Sequence, residues 1–212
     1  MAKKVLCVDL GNVLIEFNGK PVADLIKKEK RKDFIETSIT RHDSDELHLW
    51  TLYQHLKNDR FFARDVNWEN FVGAYAQCII GIHTPMYHAL NLLKIHGVNL
   101  VCITDNNHFM FSQTTLLCSL IFPLFRKNNI DQFILSHDIH SLKRNGAPFW
   151  QASSRFKFSP SEACFIDDQP YNLDAAVKIG YDKDACFLYN IKSKKNHEEF
   201  EKVFLPKHFP AK

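Results

Sequence analysis

Three aspartates end two apolar runs that lie far apart in the chain. Asp9 ends KVLCVD, and Asp167 and Asp168 end ACFIDD. If both runs are parallel strands of one sheet, their carboxyl ends meet at the edge where open α/β sheets bind ligands. Carboxylates that meet there repel one another unless a cation lies among them, and Mg²⁺ prefers oxygen ligands of this kind. We therefore predict that Asp9 and Asp168 bind Mg²⁺ and that Asp9 is the nucleophile.

Further polar residues follow two other apolar runs. Thr104 ends NLVCIT and precedes Asp105, and Lys143 lies beyond QFILS. A transferring phosphoryl group carries negative charge on its equatorial oxygens, so its catalyst must position and neutralise that charge. We expect the Thr104 hydroxyl, the backbone N–H groups from Asp105 onward and the Lys143 ammonium to bind those oxygens. Asp167 is expected to bind a metal-bound water or to orient Lys143.

The apolar runs predict the fold. Each is almost continuously apolar, which is typical of strands buried on both faces of a parallel sheet. After the first run they alternate with helix-like segments at 109–126, 146–156 and 172–179, and the last of these is followed by Gly180, a common helix stop. This alternation predicts βαβ units and a doubly wound, Rossmann-like α/β fold. The five runs are 4–9, 99–104, 132–136, 163–167 and 185–189.

Residues 16–85 break this alternation, because no convincing strand is visible there. Two sets of apolar residues within them follow the i, i+3, i+4, i+7 spacing of amphipathic helices. We therefore expect a core of residues 1–15 plus 86–191, a helical cap over 16–85 above the sheet edge that carries Asp9, and a basic tail or short helix over 192–212. The two sets are Leu49, Leu52, Tyr53 and Leu56, and Trp68, Phe71, Val72 and Tyr75.

Composition narrows the class of protein. The 212 residues are 45% hydrophobic and 24% charged, as in ordinary globular domains, and the net charge of +3 is too small to predict nucleic-acid binding. The charge run KKEKRKD at 27–33 is expected to face solvent, and the alternative is a docking patch for an acidic partner.

Membrane and secretory signals are weak. The most apolar segment, 116–125, is shorter than the ~20 residues that span a bilayer, so we expect a core helix there. The N-terminal apolar stretch is too short for a signal peptide, and the six cysteines form no CxxC pair. We expect buried, reduced thiols in a cytoplasmic protein without a membrane span.

The ordered motifs resemble those of the haloacid dehalogenase (HAD) superfamily. DLGNV at 9–13 matches the first family motif, DxDx[TV], with one departure, and Thr104 in LVCITDNN matches the second. SHDIHSLK at 136–143 resembles the third, and IDDQPYNLDAAVKIG at 166–180 closely matches the fourth. The resemblance covers about residues 4–190. It implies a Mg²⁺-dependent phosphatase that forms an aspartyl-phosphate on Asp9.

Gly11 is the departure from the first motif. In the family this position is an Asp that protonates the leaving group and then activates water, a contribution of ~10²–10⁴-fold. The resemblance implies that the Gly11 backbone carbonyl still binds Mg²⁺ and that Gly11 lies beside the phosphate, but the carboxylic acid is missing. Good leaving groups suffer least, so phosphotyrosine or another aryl phosphate, with a phenol pKa near ~10, is favoured, followed by sugar phosphates. His108 or a cap histidine is the alternative proton donor, although each is also an ordinary surface or core histidine.

Other functions fit the same residues less well. In the dehalogenases of the superfamily Asp attacks carbon without Mg²⁺, and Gly11 fits them, but they lack the acidic pair seen at Asp167 and Asp168. A catalytically impaired phosphate-binding or protein-interaction module is the non-enzymatic alternative. His137 and His140 are spaced for a zinc site, which we consider a minor alternative because no further ligand is near in sequence. The expected substrate is a small phosphorylated metabolite or a phosphoprotein.

Overall fold

The computed structural model describes residues 3–210. The strands are β1 (Val5–Val8), β2 (Ile15–Phe17), β3 (Ile79–Ile82), β4 (Asn99–Thr104), β5 (Arg126–Lys127), β6 (Ile130–Asp131), β7 (Phe133–Leu135), β8 (Ala163–Asp167) and β9 (Cys186–Leu188). The α-helices are α1 (Lys20–Ala23), α2 (Arg31–Asp33), α3 (Thr40–Asp43), α4 (Leu49–Asn58), α5 (Trp68–Ala76), α6 (Thr84–Ile95), α7 (His108–Leu117), α8 (Ser136–Ile139), α9 (Ala147–Phe156), α10 (Pro170–Ile179), α11 (Lys194–Glu199) and α12 (Leu205–His208).

The central sheet has the strand order β7-β4-β1-β8-β9, and each neighbouring pair is parallel. Val8 lies beside Cys102 of β4 and Ile166 of β8, so the chain after β1 leaves the middle of the sheet between two strand ends. The predicted doubly wound α/β fold is confirmed. The five predicted strands all form, each within two residues of its predicted bounds.

Both faces of the sheet are covered, as the continuous apolar runs predict. Leu6 and Val8 pack on one face with α6, the 3₁₀ helix Ser119–Phe125 and the C-terminal helices, whereas Val5 and Cys7 pack on the other with α9 and α10. All residues of β1 are buried. The cysteines are free thiols, and those on β1, β4 and β8 are buried.

The expectation of no strand within residues 16–85 is wrong. β2 and β3 pair in antiparallel register, with Glu16 beside Gly81, and they form the two connections between the sheet and the intervening helices. These strands are short and only partly buried. A charged residue and a glycine interrupt their apolar pattern, so periodicity could not reveal them.

The two predicted amphipathic helices form as α4 and α5. Their apolar faces are buried against each other, with the rings of Tyr53 and Phe71 5.6 Å apart. α5 also contacts a helix that follows the parallel sheet, because the ring of Tyr75 lies 5.9 Å from that of Phe109 on α7. The exact division into core, cap and tail stays a prediction.

Residues 116–125 are not one core helix. α7 ends at Leu117, and a 3₁₀ helix with Pro123 inside it follows from Ser119 to Phe125. Proline lacks the N–H that an α-helix would need there. Among residues 3–210 no single helix is long and apolar enough to cross a membrane. α7 and this 3₁₀ helix together reach that length and apolar content, but the pair is bent by 101°.

The segment after residue 192, predicted as a basic tail or a short helix, is helical from Lys194 to His208. α11 continues through a π-helix, Phe200–Phe204, into α12, and Phe200 and Phe204 are buried. The Tyr189 hydroxyl bonds to His83 Nε2 at 3.0 Å and to His197 Nδ1 at 2.8 Å, which ties this segment to the residue that follows β3. Residues 211–212 of the predicted tail lie outside the described residues.

Candidate active site

A buried ammonium group joins two strand ends. Lys143 Nζ lies 2.6 Å from Asp9 Oδ1 and 2.6 Å from Asp167 Oδ2, and only 2% of its side chain is exposed. Asp9 directly follows β1, Asp167 ends β8, and Lys143 begins the short 3₁₀ helix Lys143–Asn145. Burial disfavours the charge on Lys143, but Asp9, Asp167 and Asp105 outweigh it and raise the pKa above its usual value. Lys143 therefore stays charged, and the predicted grouping of these residues forms.

Negative charge exceeds positive charge at this edge. Asp9, Asp167 and Asp168 each offer an oxygen within 4.8 Å of the others. Burial raises the pKa of Asp9 well above its usual range, and Asp167 and Asp168 add to the effect although Lys143 opposes it. The pKa of Asp168 is also raised, first by burial and then by Asp167. One ammonium cannot neutralise three carboxylates, and the oxygen donors suit a hard divalent cation.

Amide groups hold the acidic pair in place. Asn172 Nδ2 donates to both carboxylate oxygens of Asp167 at 3.0 and 3.2 Å, and the backbone N–H of Gln169 donates to Oδ1 at 2.8 Å. The side chains of Gln169 and Asn12 donate to Asp168 Oδ2 at 2.7 and 3.3 Å. Asn172 lies within the fourth motif, but the sequence did not predict that Asn12 and Gln169 would position Asp168.

Some backbone N–H groups of the predicted phosphate-binding loop after Thr104 already have hydrogen-bond partners within the protein. Thr104 is buried at the end of β4, but the Asp105 carboxylate accepts a hydrogen bond from the backbone N–H of Lys143 at 2.8 Å. The backbone N–H of Asn106 donates to Ser136 Oγ, and that of Asn107 donates to Asn106 Oδ1. These two amides are therefore occupied, and the Asp105 N–H remains the predicted backbone donor.

Gly11 has space for a side chain. A Cβ atom built on it would meet no atom within 4 Å among the described residues. The residue is half-buried in the turn after Asp9, where it forms a bridge with Ile15. Packing therefore does not require glycine at this position. The Gly11 carbonyl remains a predicted metal ligand.

Asp43 is a site candidate that the sequence did not reveal. It ends α3, within the predicted cap, and its Oδ1 accepts a hydrogen bond from Asn107 Nδ2 at 2.8 Å. Its backbone carbonyl accepts one from Ser136 Oγ at 2.5 Å. Burial raises the pKa of the Asp43 carboxyl to about 7, with an opposing effect from Asn107 and a smaller reinforcing one from Asp105. No motif surrounds Asp43 in the sequence, so only the fold shows its proximity to the loop after Thr104.

Replacing Asp43 by Asn is expected to change the pH dependence of stability. The unfolded carboxyl ionises near its ordinary pKa of ~3.9, whereas the folded one ionises at about 7, so the wild type loses folding free energy between these values as pH rises. Asp43→Asn keeps an acceptor for Asn107 and lacks this loss. Its free energy of unfolding relative to wild type should therefore rise by about 3 kcal/mol from pH 5 to pH 8 in urea unfolding. The exposed control Asp65→Asn should follow the wild type, and parallel curves for Asp43→Asn would refute the buried-acid assignment.

The candidate histidines form a separate cluster. The His108 ring is 60% exposed and lies 4.1 Å from the ring of His137, centroid to centroid, and His108 Nε2 is 3.6 Å from Asp45 Oδ1. His140 Nδ1 lies 3.9 Å from Asp45 Oδ2, and the imidazole beside His137 is that of His108. In the cap, His42 is buried with its Nδ1 against the Leu47 carbonyl.

Solved structures of HAD family enzymes have a similar architecture. HAD family enzyme BT-2542 from Bacteroides thetaiotaomicron is 17% identical with a TM-score of 0.74, and the match covers 93% of this chain and 98% of that one. This chain has the HAD fold. A predicted HAD-like family hydrolase from Porphyromonas gingivalis is 16% identical with a TM-score of 0.72, covering 92% and 94% of the two chains.

A dehalogenase shares the HAD fold over less of its length. It is 18% identical with a TM-score of 0.58, and the match covers 84% of this chain and 82% of that one. No protein-family model matches the chain, and no curated protein matches it in sequence. The comparisons thus show the HAD fold, and the chemistry must be argued from the residues of the site.

Proposed function

We propose that this protein is a Mg²⁺-dependent phosphomonoester hydrolase that forms an aspartyl-phosphate on Asp9. The observation that carries the proposal is the buried contact of Lys143 with Asp9 and Asp167, beside a third carboxylate on Asp168. This arrangement supplies a nucleophile, a fixed positive charge and an oxygen donor set for a divalent cation. A structure of BT-2542 with the same fold is a complex with magnesium and inorganic phosphate, which supports the assignment.

The proposed reaction has two displacements at phosphorus. A carboxylate oxygen of Asp9 forms a bond to phosphorus while the bond to the leaving oxygen breaks. Water then attacks phosphorus, the bond between phosphorus and Asp9 breaks, and inorganic phosphate leaves; the proton that the water loses passes to solvent or to the leaving oxygen. Lys143 orients Asp9, and with the Thr104 hydroxyl and the Asp105 N–H it stabilises the phosphoryl oxygens. Mg²⁺, held by Asp9, Asp168 and the Gly11 carbonyl with Asp167 nearby, would screen the approach of one anion to another.

Gly11 limits the substrates that suit this site. It has no acid to protonate the departing oxygen, so aryl phosphates such as phosphotyrosine, or sugar phosphates, should react faster than simple alkyl phosphates. If alkyl and aryl phosphates react equally fast, another group donates the proton. The candidates are Asp43, with its pKa raised to about 7, and His108. Loss of alkyl phosphate hydrolysis in Asp43→Asn or in His108→Ala would show which of them is the donor.

The proposal is tested by Mg²⁺-dependent hydrolysis of p-nitrophenyl phosphate. Its aryl leaving group needs little protonation, so the wild type should turn it over, while removal of Mg²⁺ or the variant Asp9→Asn should reduce hydrolysis to the level without enzyme. Asp65→Asn, which changes an exposed cap carboxylate, is the matched control and should retain wild-type activity. No wild-type hydrolysis at any Mg²⁺ concentration would overturn the proposal in favour of the impaired phosphate-binding module.

The dehalogenase alternative has a separate test. A similar fold belongs to a dehalogenase, and Gly11 fits that chemistry. The acidic pair favours phosphatase chemistry, because Lys143 contacts Asp9 and Asp167, and a divalent cation would balance the additional carboxylate of Asp168. Halide release from a 2-chloro acid without Mg²⁺, together with no phosphatase activity, would assign the dehalogenase function instead.

The site is compatible with two classes of natural substrate. We propose a small phosphorylated metabolite or a phosphoprotein, in a cytoplasmic protein that binds no nucleic acid. Most side chains of the charge run at 27–33 are exposed, although Lys30 Nζ bonds to the Asp59 carbonyl at 2.6 Å. A screen of sugar phosphates, nucleotides and phosphotyrosine peptides against Mg²⁺-loaded protein would separate these classes.

A further inference from the structure

A second group of potential metal ligands lies where the cap meets the core. His108, His137 and Asp138 each offer one ligand atom within 4.8 Å of the others. The group is distinct from the carboxylates of Asp9, Asp167 and Asp168, although His108 is also the alternative proton donor of the proposed reaction. Asp45 of the cap also approaches this group, with Oδ1 3.6 Å from His108 Nε2. The group is defined here as the histidine cluster of His108, His137 and Asp138.

Hydrogen bonding fixes the state of His137. The side chain is buried, with 2% exposed, and Nδ1 lies 2.7 Å from the Asn106 carbonyl oxygen. A carbonyl oxygen can only accept, so Nδ1 must carry the proton. Burial lowers the pKa of His137, and the nearby His108 adds to this effect, although the Asn106 carbonyl opposes it. In the neutral ring, Nε2 is therefore the nitrogen that carries the lone pair.

The lone pair of His137 faces another acceptor. Asp138 Oδ1 lies 3.6 Å from His137 Nε2, which is too far for a hydrogen bond and leaves two electron-rich atoms side by side. A cation between them would satisfy both. The backbone carbonyl on Nδ1 also orients the ring in the way that partners of metal-bound histidines do.

His108 adds a second imidazole beside that of His137. Its ring centroid is 4.1 Å from that of His137, and it is the first residue of α7, a ten-residue helix whose N-terminal end carries partial positive charge. Two imidazolium rings would repel each other at this distance. Two neutral rings can instead share a metal ion.

We propose that the histidine cluster binds one divalent transition metal ion of the Zn²⁺ class. Two imidazole nitrogens and one carboxylate oxygen suit Zn²⁺, Cu²⁺ or Ni²⁺, whereas Mg²⁺ prefers oxygen ligands alone. Water or Asp45 is available to complete the coordination. The proposal goes beyond the phosphatase function and does not depend on it.

The ion would connect parts of the chain that surround the proposed phosphate site. His137 holds the carbonyl of Asn106, and His108 begins the helix that follows the same loop. Asp45 lies on the cap side of the cluster. Binding should therefore reduce the mobility of the loop after Thr104 and raise thermal stability.

The test is calorimetric titration of the full chain with Zn²⁺ in saturating Mg²⁺, which occupies the acidic site. We expect one Zn²⁺ per chain and a higher Tm with Zn²⁺ present. His108→Ala and Asp138→Ala alter exposed side chains and should weaken binding by about tenfold or more, because each removes a ligand. His96→Ala, which removes an exposed histidine elsewhere, is the matched control and should bind as the wild type does.

Two outcomes would overturn the proposal. One is that the wild type binds no Zn²⁺, or that His108→Ala and Asp138→Ala both bind Zn²⁺ with the same affinity as the wild type. The other is loss of Zn²⁺ binding in Asp9→Asn, which would place the ion in the acidic site. Because the readout is binding rather than turnover, an inactive phosphatase with intact Zn²⁺ binding would count against the proposed function alone.

Discussion

Lys143→Met is expected to abolish phosphatase activity and to destabilise the fold. Methionine has a similar length but no charge, so Asp9 and Asp167 would be left buried without the ammonium that lies 2.6 Å from each. Removing one partner of a buried ion pair typically costs about 3–5 kcal/mol. The nucleophile also loses its orienting contact, and the phosphoryl oxygens lose a positive charge.

Two measurements check this variant. Urea unfolding should show the loss of stability, and hydrolysis of p-nitrophenyl phosphate should fall to the background rate. Lys178→Met, on the exposed face of α10, is the matched control and should change neither result. A Lys143→Met protein with wild-type stability would show that the ammonium does not hold the two carboxylates.

Gly11→Asp is expected to raise the hydrolysis of alkyl phosphates by about 10²–10⁴-fold, the usual contribution of a general acid. The new side chain enters open space, because a Cβ atom at this position meets nothing within 4 Å among the described residues. It would place a carboxyl group two residues after the nucleophile, near the departing oxygen. Aryl phosphates should gain much less, because their leaving groups need less protonation.

The matched control for this gain is Gly11→Asn. Asparagine has nearly the same size and shape as aspartic acid but cannot donate a proton as a carboxylic acid does. The ratio of alkyl to aryl kcat/KM should therefore rise in Gly11→Asp and stay at the wild-type value in Gly11→Asn. An equal ratio in all three proteins would mean that protonation of the leaving group does not limit this enzyme.

The sheet could be predicted from sequence because its strands are buried on both faces. Such strands must be continuously apolar. β1, β4 and β8 are therefore visible in the sequence as apolar runs that end in Asp9, Thr104 and Asp167. The register that brings these ends together follows from parallel pairing. This is why residues far apart in sequence could be expected at one edge.

The rest of the site could not be predicted because it depends on tertiary contacts with no sequence pattern. Asp43 gains its raised pKa only where the cap packs on the loop of Asn107. Asn12 and Gln169 reach Asp168 from two different turns. The histidine cluster was visible only as the spacing of His137 and His140, whereas the fold pairs His137 with a residue of another helix.

The central claim is that Asp9 carries the phosphoryl group, and trapping that group tests it most directly. The protein is mixed with p-nitrophenyl phosphate and Mg²⁺, quenched with borohydride, and analysed by peptide mass spectrometry. Borohydride reduces an acyl phosphate to an alcohol, so we expect homoserine at position 9 in the wild type and unmodified peptide when Mg²⁺ is omitted. Turnover of the substrate with unmodified Asp9, or with the modification at another carboxylate, would contradict the account.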